Sequence, residues 1–227
     1  MVKVEYFGNP LVDEMERRII TFSDKNEMRR SLGLDDRPVI ALLAGSRKHE
    51  VSHVLPVMIK IIKYFPEYQF VIAGVRNINE SLYSSIIGKN PVRLITGKTY
   101  EILYIAHAAL VTSGTATLET ALAGIPQVVC YKADFFSMLI AWMFVKVRYI
   151  SLVNLIMDFE VIKELVQYDL TVSRLGKELR AIVPGGERRE KMLSDYESLK
   201  NKLGPSGASF RIAEEMVSSL RKDERQS

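Results

Sequence analysis

Glycines, hydroxyls and an arginine stand in this sequence where a backbone could grip an anion. The run Ala44-Gly45-Ser46-Arg47 follows an apolar stretch that ends at Leu43. Gly45 lets backbone come close to a ligand, Ser46 offers a hydroxyl, and Arg47 supplies a planar fork suited to phosphate. The same run also reads as a plain strand-to-helix turn with a solvated arginine. A second run, Thr112-Ser113-Gly114-Thr115, opens a helical pattern that carries Leu118, Glu119 and Leu122. Unpaired N–H groups, the helix dipole and the Ser113 and Thr115 hydroxyls make such a start an anion site. Glu119 lies about one turn further in. A carboxylate there is placed to accept hydrogen bonds from the ribose hydroxyls of a nucleotide whose diphosphate rests on the helix end. The alternative is an ordinary capped helix with a solvated glutamate.

A third constellation competes with these. His49-Glu50-Val51-Ser52-His53 matches H-E-x-x-H, in which two histidines one turn apart bind zinc and the glutamate acts as base. Against a zinc hydrolase, Pro56 is expected to interrupt the helix just beyond, position 56 is not Gly and Ile59 is not His, so the extended pattern fails. No G-x-G-x-x-G follows any apolar run and no G-x-x-x-x-G-K-[ST] occurs, which removes the main support for dinucleotide and P-loop readings.

For the two loops to act together, the segments around them must bring both to one edge. From Pro38 onward the pattern alternates: apolar strand-like runs at 39–44, 69–75, 92–95, 109–112 and 127–131, and helical spacing at 51–65, 79–88, 99–107 and 115–124. Such alternation predicts α/β architecture, a Rossmann-like parallel sheet with helices on both faces and right-handed crossovers. In sheets of that kind ligands bind outside the carboxyl ends of the strands, which is where both loops fall. Before it, Val4 to Phe7 reads as a short strand and Leu11, Val12, Met15 and Ile19 as one face of a helix. Asp24 with Glu27 resembles a capping box whose helix ends near Gly33. After it, helices are predicted at 135–146, 160–168, 172–182, 188–203 and 207–221. The expected division is a linker with N-terminal helices over 1–37, the Rossmann-like domain over 38–155, and a C-terminal helical segment over 156–227.

Bulk properties narrow the class. A chain of 227 residues that is 48% hydrophobic and 26% charged builds a core and is not a disordered chain. The net charge of +4 favours anionic partners. The single cysteine, Cys130, lies in the apolar run 127–131 and rules out an internal disulfide, in keeping with a reducing compartment. The start carries no secretory pattern, so a cytoplasmic location is expected, and its abruptness suggests a piece of something longer. The apolar stretch Phe135 to Val145, bounded by Lys146 and Arg148, is too short to span a bilayer. It reads as core, or as a face that lies against a membrane surface.

The same residues carry a resemblance. Ser113-Gly114-Thr115-Ala116-Thr117-Leu118-Glu119, continuing through Ala123-Gly124-Ile125-Pro126, is similar to the donor-site signature of the lipid-A-disaccharide synthase family. Gly45-Ser46-Arg47 with Glu50-Val51, the opening Phe7-Gly8-Asn9-Pro10-Leu11-Val12-Asp13, the block Tyr149 to Asn154 and the tail Gly207-Ala208-Ser209 match in order, so the likeness covers nearly the whole chain. The resemblance implies one half of a GT-B glycosyltransferase, the C-terminal, donor-binding half. It implies an inverting hexosyltransferase that moves 2,3-diacylglucosamine from UDP-2,3-diacylglucosamine to 2,3-diacylglucosamine 1-phosphate at the inner face of the bacterial inner membrane. It further implies that a general base belongs to an absent N-terminal domain. Gly45, Ser46 and Arg47 would meet the diphosphate, with Glu50 part of the same pattern. Ser113, Gly114 and Thr115 would cap the diphosphate and Glu119 would hold the ribose. Asn154 would line the cleft near the sugar as a catalytic residue with Arg47, and Glu160, Glu164 and Gln167 are weaker donor-side candidates. Val153 where the family usually has Pro, and Met157-Asp158-Phe159 where it usually has a small-Gly-Arg run, are departures. No cofactor is implied, since the UDP-sugar is a substrate. With no Asp-x-Asp pair, no metal is expected. Nucleic acid is not an expected partner, a homodimer is left open, and other UDP-sugar GT-B enzymes or epimerases share the glycine-rich loop and ribose glutamate.

Overall fold

The computed structural model describes residues 5–19, 22, 24–112, 114–132 and 148–224. The chain enters through two helices, α1 (Pro10–Ile19) and α2 (Lys25–Ser31), the second capped by Asp24, whose carboxylate accepts from the N–H groups of Asn26 and Glu27. It then alternates β1 (Val39–Leu43), α3 (Lys48–Lys60), β2 (Gln69–Gly74), α4 (Glu80–Ile87), β3 (Val92–Thr96), α5 (Thr99–Ile105), β4 (Ala106–Val111), α6 (Thr115–Leu122) and β5 (Gln127–Tyr131). Beyond residue 148 come α7 (Leu152–Met157), β6 (Lys163–Val166), α8 (Val172–Arg180), α9 (Arg189–Leu203) and α10 (Ala208–Glu224).

All described strands run parallel in one sheet of order β3-β2-β1-β4-β5-β6. Alternate side chains of β1 leave on opposite faces, as a pleated strand requires. Val39, Ala41 and Leu43 join a core with Ile102, Leu103 and Ile105 of α5, whereas Ile40 and Leu42 join the core that includes Val51, Val54, Leu55, Met58 and Ile59 of α3. Every residue of β1 and β2 is buried, which is why these strands read as unbroken apolar runs. The sheet therefore has helices on both faces, as the alternation predicts.

Four expectations differ from the structure. α3 runs through Pro56 instead of stopping there. An interior proline costs about 3 kcal/mol, but the five buried apolar side chains of α3 each contribute roughly 1.5–3 kcal/mol, so packing decides the outcome. The helix expected over 99–107 ends at Ile105, and β4 starts at once with Ala106. A register shift against β1 between Val39 and Ile40 absorbs the abrupt change, and His107 Nδ1 accepts the Val39 N–H at 3.3 Å. The helix expected over 160–168 is instead β6 followed by a 3-10 turn, Gln167–Asp169. Its spacing fits either element, and the open edge of β5, which pairs Val128 to Tyr131 with Lys163 to Val166, selects the strand. The segment 156–227 is accordingly not wholly helical. The strand expected at Val4 to Phe7 is not formed over its described residues 5–7, while Val4 itself, the helix expected over 135–146 and Ser113 lie outside the described residues.

The two ends of the chain meet. Asp13 in α1 accepts hydrogen bonds from the N–H groups of Gly207, at 2.6 Å, and Ser209, at 2.9 Å, and so caps α10 from outside. Arg211 of α10 returns the contact by donating to the Phe7 carbonyl from Nε and Nη2. A Cβ on Gly8 would stand 3.2 Å from that of Ala208, so the opening and closing motifs of the sequence form one joint.

These amide donors hold the Asp13 carboxyl down from its ordinary 3.8 to about 2. The stabilisation is complete above pH 3.8 and fades as the pH falls toward about 2. Thermal unfolding of Asp13→Asn should show a lower Tm than wild type at pH 7, and the gap should narrow on acidification through that window. A constant gap across it would contradict the clasp.

Candidate functional site

A cleft of about 410 Å³ opens at the carboxyl edge of the sheet where β1 and β4 lie side by side. From β1 the chain proceeds outward to α3 and β2, and from β4 to α6 and β5, so the loops after these strands diverge and leave a crevice. Its size is in the range of small-molecule sites. Leu43, Gly45, Ser46, Arg47 and Glu50 form one wall, while Thr112, Gly114, Thr115, Ala116 and Glu119 form the other. Of the eleven donor-side candidates named from the sequence, the structure brings Gly45, Ser46, Arg47, Glu50, Gly114, Thr115 and Glu119 into this cleft. Ser113 lies outside the described residues.

The β1 loop is held from within. Glu50, one turn into α3, folds back so that Oε2 accepts the N–H of Ser46 at 2.9 Å and of Arg47 at 3.2 Å. The loop passes so close that a Cβ on Gly45 would sit 2.3 Å from that oxygen, and Gly45 has φ +107°. Both facts require glycine. Asn77 Nδ2 donates to the Ser46 carbonyl at 2.9 Å and ties the loop to the end of β2. The Arg47 side chain, in contrast, is 82% exposed and meets Glu50 only at 3.5 Å, a weak surface pair that leaves the guanidinium free to turn to an anion.

The opposite wall offers donors. Among the described residues no side chain caps α6, and the leading N–H groups of a helix have no partner within it. Gly114 enters with φ +116°, a conformation that only glycine adopts readily. At the floor, Thr112 N–H donates to the Leu43 carbonyl at 2.8 Å and seals β1 to β4. The Thr112 hydroxyl is buried and has no hydrogen-bond partner among the described residues. One turn into α6, Glu119 accepts a hydrogen bond from Tyr100 Oη at 3.0 Å.

Four candidates lie elsewhere. Asn154 is completely buried, and its side chain is consumed by the chain: Oδ1 accepts from Val161 and Ile162 N–H at 2.9 and 3.0 Å, and Nδ2 donates to the Ile162 carbonyl and to Glu164, both at 2.8 Å. It staples α7 to the approach of β6 and does not line the cleft. Glu164 completes that staple by accepting from the N–H groups of Ile150 and Ser151 and from the Ser151 hydroxyl. Gln167 sits just past β6, two strands beyond β4 and therefore about 10 Å along the sheet from the crevice, and Glu160 pairs with Lys163 at the surface. Tyr100 carries no sequence signal, because its importance comes from which helix lies next to it.

The histidine motif also resolves. The rings of His49 and His53 stack at 4.1 Å, His53 Nδ1 lies 2.8 Å from the His49 carbonyl, and Glu50 is occupied by the loop amides. No group of three His, Cys, Asp or Glu that could hold a metal ion occurs among the described residues. Cys130 is fully buried in β5, where burial pushes its thiol well above the usual range and keeps it protonated.

A family model described as lipid-A-disaccharide synthetase matches residues 1–213. The lipid-A-disaccharide synthase of Syntrophus aciditrophicus is 38% identical over 98% of this chain, and that of Myxococcus xanthus 32% identical over 96%. The chain spans 59% and 58% of the length of these two relatives. Among solved structures, UDP-GlcNAc 2-epimerase from Neisseria meningitidis bound to UDP-GlcNAc has a TM-score of 0.60 at 17% identity, with 93% of this chain and 54% of that one covered. The calicheamicin glycosyltransferase CalG4 has a TM-score of 0.55 at 16% identity, with 82% and 44% covered. At such identities the likeness is one of fold, and the fold is one half of GT-B.

Gly45 and Gly114 make a matched pair of tests. Both have positive φ, but a Cβ on Gly114 meets nothing within 4 Å whereas one on Gly45 collides with Glu50. Chemical denaturation should show Gly114→Ala losing about 1–3 kcal/mol from backbone strain, and Gly45→Ala losing more. Equal losses would mean that Glu50 does not hold the loop as described.

Proposed function

This chain belongs to the lipid-A-disaccharide synthetase family, and from that premise we propose that it is the donor-binding half of an inverting glycosyltransferase that moves 2,3-diacylglucosamine from UDP to 2,3-diacylglucosamine 1-phosphate. The observation that carries the reading is the cleft at the β1–β4 crevice, walled by the start of α6, the largely exposed Arg47 guanidinium and the Glu119 carboxylate.

In this reading the diphosphate rests between Arg47 and the start of α6, and Glu119 accepts hydrogen bonds from the ribose. The acceptor hydroxyl attacks the anomeric carbon opposite the departing oxygen, the C1–O bond to the β-phosphate breaks, and the charge that develops on UDP is met by the guanidinium and the helix start. Glu50 acts by shaping the loop that presents Arg47, not by touching the donor. Asn154, closed into its staple, is assigned no catalytic part. The base that takes the acceptor's proton comes from the other half of a two-domain enzyme, in accord with a chain that spans under three-fifths of its relatives. Because the cleft supplies its own positive charge, the donor is bound without a metal. Acylated substrates place the reaction at a membrane surface, the inner face of the inner membrane in this reading. No helix among the described residues is long and apolar enough to cross a membrane.

Calorimetry with UDP tests the site. Wild type should bind equally in EDTA and in magnesium, and Arg47→Ala and Glu119→Ala should each weaken binding about tenfold or more. Wild-type affinity in both variants would overturn the assignment, and a strict magnesium requirement would overturn the metal-free donor site. The purified chain should form no disaccharide from the two acylated substrates; turnover by it would show that the base lies in this half.

A further inference from the structure

We infer that Tyr100 is a positioning residue for nucleotide recognition: its phenol holds the Glu119 carboxylate at the cleft wall in the orientation that accepts the ribose hydroxyls. The inference rests on the reading of Glu119 given above and adds a side chain that does not itself line the cleft.

The geometry is a short relay between two helices. Tyr100 stands in the first turn of α5, and its Oη donates to Glu119 Oε1 at 3.0 Å across to α6. Glu119 lines the cleft and Tyr100 lies behind it. A glutamate side chain has three soft torsions, and a ligand that must order them itself loses affinity. A phenol bound to one oxygen orders them in advance and leaves the second oxygen for the nucleotide. Burial, followed by the neighbouring Glu119 charge, pushes the Tyr100 hydroxyl up to about 12, so it remains a donor throughout the neutral range. The ring is fixed in turn. The Arg18 guanidinium of α1 lies over it, 4.3 Å from the ring centre, and Arg18 is itself bound to Glu14. The N-terminal helix thereby reaches the ribose site through two side chains, Arg18 and Tyr100.

Tyr100→Phe keeps the ring and its contact with Arg18 and removes one oxygen. Calorimetry on the whole chain would compare UDP with 2′,3′-dideoxy-UDP. Wild type should prefer UDP, and Tyr100→Phe should weaken UDP about five- to tenfold while dideoxy-UDP stays within about twofold, so that discrimination shrinks. Unchanged UDP affinity in Tyr100→Phe, or an equal loss for both nucleotides, overturns the inference. A wild-type chain that binds both nucleotides alike refutes Glu119 as the ribose acceptor instead, which is a different failure. The contact itself is read without nucleotide, from ¹³C-tyrosine NMR titration: Glu119→Gln should lower the pH at which Tyr100 ionises. An unmoved titration would show that the hydrogen bond is not formed and would equally overturn the inference.

Discussion

The site depends on one topological constraint: β1 and β4 lie side by side although β2 and β3 intervene in the chain. Parallel strands with right-handed crossovers send the loop after β1 to one side and the loop after β4 to the other. A crevice must open between them. Its walls stand on two strands that are almost entirely buried and are joined by the hydrogen bond from Thr112 to Leu43. Everything that could hold an anion is attached to that frame.

Carboxylates do much of the fixing, each spent on backbone amides or side-chain donors that would otherwise be unpaired. Glu50 shapes the loop that presents Arg47, Glu164 organises residues 150–154, and Asp13 caps α10 and joins the two ends of the chain. Glu119 differs in kind. Its carboxylate is held by a tyrosine hydroxyl and still faces the cleft, which is the arrangement expected of a group that is positioned but not consumed. The contrast is between a carboxylate turned inward onto its own loop and one left facing the cleft.

Much of the fold was legible in the sequence because buried parallel strands leave long apolar runs and amphipathic helices leave a different period. The strands at 39, 69, 92 and 127 begin where the runs begin. The misreadings have a common physical source, since each depends on a partner distant in the chain. β6 is a strand because β5 has an edge to fill, β4 starts at Ala106 because β1 offers it a register, and α3 survives Pro56 because the sheet buries the helix around it. Of the site, the glycines, Arg47 and Glu119 were legible because a strand end followed by a helix start is a local pattern. Asn154 was misplaced because a buried asparagine and one that lines a cleft look the same in one dimension.

The sequence by itself determined the alternation of elements, the two loops at the carboxyl edge and the family to which the chain belongs, because each is written in residue types at short spacing. The tertiary structure alone decided that Glu50 turns inward, that Tyr100 stands behind Glu119, that Asn154 is closed off, and that the first and last motifs form one joint. These are contacts across as few as three and as many as 204 positions, and no local pattern says which way a side chain will turn until its neighbours in space are in place.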